Sequence, residues 1–118
     1  MPNFVTVTAL GINSDSSNIQ SGEITFTPSD IVWAVDFNLI GAFPSITFTF
    51  NGGVPNLSVS LYAMDNAGVS TNWFWIVTGN LEGVPIVPRS ISVLFANGPQ
   101  QNLATLLNAG TVLPPPPA

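Results

Sequence analysis

Period two runs through most of the chain. "FVTVTALG" alternates Phe4, Thr6 and Thr8 with Val5, Val7 and Ala9. "GEITFTPS" sets Ile24 and Phe26 against Glu23, Thr25 and Thr27, and "DIVWAVDF" adds a third run at Ile31–Phe37. "SITFTF" sets Ile46, Phe48 and Phe50 against Ser45, Thr47 and Thr49. "NLSVSLYAM" sets Leu57, Val59 and Leu61 against Ser58, Ser60 and Tyr62. "NWFWIVTG" and "RSISVLF" complete the set. Successive side chains of a strand face opposite ways, so most of these runs set an apolar row against a more polar one. Seven such runs, rich in β-branched and aromatic residues and bounded by turn residues, predict an all-β protein. The expected architecture is an antiparallel β-sandwich of about seven strands.

One run breaks the rule. In "TNWFWIVTGN" both rows are apolar, Trp73, Trp75 and Val77 on one side and Phe74 and Ile76 on the other. The first row reads as the inner face of a sandwich strand, because large aromatic side chains mostly serve burial. Phe74 and Ile76 need a different cover, another segment or another subunit.

The connections carry their own signals. Asn51-Gly52 in "FNGGV" predicts a hairpin, since both residues tolerate positive φ. "MDNAG" (Met64–Gly68) and "GNLEG" (Gly79–Gly83) are polar reversals. Pro44, Pro55, Pro85 and Pro88 are placed at strand edges, where a missing N–H costs least. "NLATLLNAG" (Asn102–Gly110) predicts one or two helical turns stopped by Gly110. "LPPPPA" reads as a stiff polyproline II tail, a spacer or a docking arm. The expected organisation is a sandwich over residues 1–113 and a tail over 114–118.

Composition sharpens this into a statement about the surface. Charged residues are 6% of the 118, where roughly 25% is usual. Lys, His and Cys are absent, and Arg89 is the only cation. Ser, Thr, Asn and Gln must therefore build the surface, and little charge repulsion opposes association. A net charge of −5 and a single Arg argue against nucleic acid and against an acidic membrane surface. No apolar run approaches the roughly 18–20 residues of a membrane span. The N-terminal stretch lacks a basic n-region and alternates, so no signal peptide is expected. Zero Cys excludes disulfides and thiolate metal sites.

The inventory for chemistry is thin. Without His, Cys or Lys, acid–base and nucleophilic roles fall to six carboxylates, Ser/Thr and Tyr62. Asp30 and Asp36 flank one run but are six residues apart. They would stand nearer 20 Å apart in a strand, too far for a carboxylate pair working at about 5–10 Å. "DNAGVS" (Asp65–Ser70) resembles part of a calcium loop, but one Asp fits an Asx-type turn better. No enzyme activity, metal or cofactor is expected. Trp33, Trp73 and Trp75 are candidates for stacking on sugars, with core packing the simpler account.

The runs also look familiar as an ordered set. "GEITFTPS", "LSVSLYAMDN", "NWFWIVTGNLEG", "RSISVLF" and "NLATLL" come in that order over Gly22–Leu107. This resembles a β-sandwich domain in tail proteins of tailed bacteriophages that infect actinobacteria. The apolar stretch Asp30–Phe43 departs from that pattern. The resemblance implies a virion structural protein, assembled as homo-oligomers (often trimers) with other virion subunits, with no catalytic residues to carry over. A minor tail component is the leading expectation. A head decoration protein is the alternative, and a receptor- or carbohydrate-binding module the third. Trp33, Phe74, Ile76 and the tail Pro114, Pro115, Pro116 and Pro117 are the expected interface residues.

Overall fold

The alternating runs pair into two facing sheets, seen in a computed structural model that describes residues 4–13, 15–30, 32–34, 39–41, 45–52, 56–65 and 73–112. For 32–34 and 39–41 it describes the backbone. The smaller sheet is built on β1 (Phe4–Leu10). It pairs antiparallel with β6 (Asn56–Tyr62) and parallel with β10 (Gln100–Asn102). The larger sheet centres on β2 (Gly22–Pro28) and β7 (Trp75–Leu81), antiparallel over their whole lengths. β5 (Ile46–Thr49) flanks β2; β9 (Arg89–Ile91) and then β11 (Thr111–Val112) extend the other side. β8 (Val84–Pro85) also pairs with β7. A separate hairpin joins β3 (Val32–Ala34) to β4 (Leu39–Gly41). The protein is an all-β sandwich, as the periodicity predicts.

The core sits where the inner rows meet. Val5, Val7, Leu57 and Leu61 face Ile24, Phe26, Trp75, Val77 and Ile91, all buried. Each large side chain so buried contributes about 1.5–3 kcal/mol. Trp75 also ties the sheets together, its indole N–H donating to the Tyr62 carbonyl at 3.0 Å. A buried indole needs such a partner. Trp73 packs edge-on against Trp75, with centroids 5.7 Å apart, so the Trp73–Trp75–Val77 row is core.

The run around the tryptophans starts later and ends later than its pattern suggests. Trp73 and Phe74 precede the strand, held to β2's end by Ser29 N–H to the Phe74 carbonyl (2.8 Å) and Phe74 N–H to the Ser29 hydroxyl (2.9 Å). β7 then runs past Gly79 to Leu81.

The connections differ most from expectation. Asn51-Gly52 is not a hairpin turn. β5 pairs with β2 and β6 pairs with β1, so the segment crosses between sheets. Phe50 turns into the core, its N–H bonded to the Gly22 carbonyl at 2.9 Å, and the Asn18 amide donates to the Gly52 carbonyl at 3.0 Å. These tertiary contacts outweigh the dipeptide's local preference. Glu82-Gly83 makes the tight hairpin instead. Leu81 pairs with Val84 across two residues of positive φ, 51° and 86°, the type I′ geometry that matches strand twist.

β8 and β9 are one strand broken by a bulge. Between the pairs Asn80–Pro85 and Val77–Arg89, Thr78 and Gly79 face Ile86, Val87 and Pro88. The extra residue puts Pro88, which has no N–H to give, where the ladder is already interrupted.

The helix α1 (Leu103–Ala109) forms where "NLATLLNA" predicts it. Asn102 caps it, accepting from Ala104 N–H (2.9 Å) and Thr105 N–H (3.4 Å). Leu103 is buried, and Leu106 and Leu107 pack on the core. Arg89 reaches the Leu107 carbonyl at 3.5 Å, a cation at the helix end where carbonyls accumulate.

Candidate functional site

The larger sheet's outer face follows from its register. Thr25 stands between Thr47 and Thr78, and Glu23 between Thr49 and Asn80. Thr27 stands opposite Ile76, which faces Ser90 on its other side. Hydroxyls bridge neighbouring segments, Thr25 to Thr47 at 3.0 Å and Thr27 to Ser45 at 2.9 Å. Glu23 is the one charged residue of this face among the described residues. The smaller sheet repeats the theme: Thr6 and Thr8 lie between Ser60 and Ser58 of β6 and Gln100 and Asn102 of β10.

The expected interface residues fall in different places. Ile76 sits within the hydroxyl face, half-buried, and Phe74 lies one step beyond it, also half-buried. Neither belongs to the core cluster or packs against it. Trp33 is in β3, opposite Ile40 in the backbone register. Pro114, Pro115, Pro116 and Pro117 lie outside the described residues, as does Asp36. Among the described residues the most exposed large apolar one is Val84, at 68%. It shares the β8–β9 edge with Val87, while Val112 stands beside it on β11, paired with Arg89.

Two carboxylates hold loops together. Asp65 accepts N–H bonds from Phe95 (2.7 Å) and Ala96 (3.0 Å), so it fastens a 3-10 turn at Phe95–Asn97 that lies far along the chain from it. Glu82 accepts from the Asn13 amide (2.7 Å) and Gln20 N–H (3.1 Å), tying the hairpin tip to the β1–β2 connection. In that connection Asp15 takes the Ser17 hydroxyl (2.6 Å) and N–H (3.0 Å). The hydroxyl bond, then the amide bond, holds its carboxyl below the ordinary value. Burial pushes the Tyr62 phenol up.

A cleft of about 420 Å³ opens beside the 3-10 turn, β10 and α1. It is lined by Asn97, Gln100, Gln101 and Asn102, which carry side-chain amides, by Ser92 and Thr105, which carry hydroxyls, and by Leu106 and Ala109. Among the described residues no charged one lines it. The Gln101 amide is fixed by donating to the Leu94 (2.7 Å) and Gly98 (2.9 Å) carbonyls. Asn102 is fixed by its capping bonds. Sequence reasoning missed this site: it read "NLATLLNAG" as one or two helical turns and made nothing of the amides that precede it. The signal available was the density of amides between Asn97 and Asn102.

Comparison with protein-family models, with characterised proteins and with solved structures finds no match.

Proposed function

We propose that this chain is a structural module of a tailed-phage virion, a minor tail component that acts mechanically by docking its sheet faces and edges against other subunits. The observation that carries the reading is the larger sheet's outer face, where Thr, Ser and Asn surround Ile76 with one carboxylate among them. Hydroxyls and amides can exchange water for partner groups at far lower cost than ions. Stable interfaces bury about 1,200–2,000 Å², and a face this poor in charge suits burial on that scale. The reading also takes up the resemblance to a phage tail domain of the segments that form β2, β6, β7, β9 and α1. In the assembled state this face, with Ile76 and Phe74, meets a second copy or a neighbouring tail protein.

The test places an Arg in the face at an exposed and at a half-buried position, Thr47→Arg and Ile76→Arg. The parent chain is expected to sediment as an oligomer, and both variants, with thermal unfolding checked, to fall to monomer and to drop out of particles. Antibody against the chain is expected to label tails. A parent chain that stays monomeric at high concentration, with variants that assemble into particles normally, overturns the docking face. Label spread evenly over heads overturns the tail assignment.

A further inference from the structure

We infer that the cleft between the 3-10 turn, β10 and α1 binds a neutral saccharide. Its volume, about 420 Å³, falls within the roughly 300–1,000 Å³ of small-molecule sites. Its chemistry narrows the ligand. A side-chain amide presents donors and an acceptor on one planar group. Adjacent sugar hydroxyls, each both donor and acceptor, match that pattern. Asn97, Gln100, Gln101 and Asn102 supply the amides, and Ser92 and Thr105 add hydroxyls.

Much of this capacity is unspent. Among the described residues, the side chains of Asn97, Gln100, Ser92 and Thr105 make no hydrogen bond within the chain. Gln101 has committed its N–H group, which leaves its carbonyl oxygen, and Asn102 has committed its oxygen, which leaves its N–H group. These two amides are therefore held in place before any ligand arrives, which lowers the ordering cost of binding. Leu106 and Ala109 offer an apolar surface for the C–H face of a sugar ring.

The same lining selects against other ligands. No cation is present to hold a phosphate, sulfate or carboxylate, and the net charge of −5 repels anions. No carboxylate is present to hold an amine or a hard metal ion. The inference stands apart from the docking face, since the cleft lies at β10 and α1 and the face on β2, β5 and β7.

The experiment follows the Asn and Gln side-chain amide signals by NMR. The folded chain is titrated with uncharged oligosaccharides of glucose, mannose and galactose, and with oligouronates as the charged comparison. At least one neutral oligosaccharide is expected to shift Asn97, Gln100, Gln101 and Asn102 saturably by about 10 mM, a decade above a weak millimolar Kd. Oligouronates are expected to leave them in place. Gln100→Ala removes one exposed amide and is expected to weaken binding about tenfold. Thr47→Ala, on the other sheet's outer face, is expected to leave binding unchanged. Absence of saturable shifts with every neutral oligosaccharide overturns the inference. So does binding that survives both Gln100→Ala and Asn97→Ala, or that shifts residues away from the cleft. None of these outcomes bears on whether the chain assembles, so the two readings fail separately.

Discussion

At Gly79 the sandwich depends on a missing side chain. Its φ is 138°, and a Cβ there would overlap the carbonyl oxygen of Glu23 on the adjacent strand β2. The obstacle is backbone at the centre of a ladder, so neither rotamer change nor a small shift relieves it. Gly79 also accepts the Ile86 N–H at 2.8 Å, which closes the bulge. Gly79→Ala is therefore expected to lower stability by about 3 kcal/mol, with Tm down on the order of 10 °C. Calorimetry checks it, with Gly83→Ala as a comparison, since nothing lies near a Cβ at Gly83 and only its φ of 86° is unfavourable. Asp15 makes a second residue-scale case, through pH. Its folded carboxyl is held low by Ser17, so the loop's stabilisation is complete above the ordinary Asp value of about 3.9. It is lost as pH falls through the lowered folded value. A carbon-detected NMR titration is expected to place the Asp15 midpoint below the ordinary value. Ser17→Ala is expected to move it back up.

Elements were legible where side chains alternate over enough residues to define a face. β1, β2, β5, β6 and β9 each fall within a predicted run, and β7 starts inside its run and ends beyond it, because each has an apolar row that only one orientation can bury. The helix was legible from a different signal, "NLATLLNA" closed by Gly110 as a stop, and the structure adds Asn102 as its cap. β10 was not. "QQN" has no apolar row, and its strand state comes from parallel pairing with β1, a partner more than ninety positions earlier. The β8–β9 bulge was hidden for a related reason. Pro85 and Pro88 look like breaks, and only the register against β7 shows one interrupted strand. Asn51-Gly52 shows the reverse error, a strong local signal overruled by which strand edges were available. The cleft stayed out of sight because amides carry no periodicity. Its members come from β10, α1, the 3-10 turn and Ser92, and only the folded sandwich brings these together.

On the scale of the whole molecule the decisive quantity is charge. One Arg and six carboxylates are spread over 118 residues, and Arg89 is engaged at the end of α1. Folding therefore rests chiefly on the core and on hydrogen bonds, a few of them accepted by the carboxylates of Asp15, Asp65 and Glu82. The Debye length falls from about 10 Å at 0.1 M salt to about 3 Å at 1 M, but the screening acts on few pairs, and exposed pairs are worth at most about 1 kcal/mol each. The same reasoning extends to assembly. An interface made from Thr, Ser, Asn and Ile76 has no ionic attraction to screen, whereas one steered by charge loses affinity steeply with salt. Both Tm and the self-association constant are accordingly expected to stay nearly flat from low salt to about 0.5 M NaCl, a range over which an exposed ion pair is largely screened. Sulfate, which strengthens burial by exclusion from the surface, is expected to raise both. Calorimetry and sedimentation velocity across the NaCl series read the two quantities on the same samples. A fall in Tm of several degrees with NaCl would mean that the few charges are clustered and paired in a way that stabilises the fold. A flat Tm with association that collapses would put Glu23 or another carboxylate at the heart of the contact, against a neutral docking face.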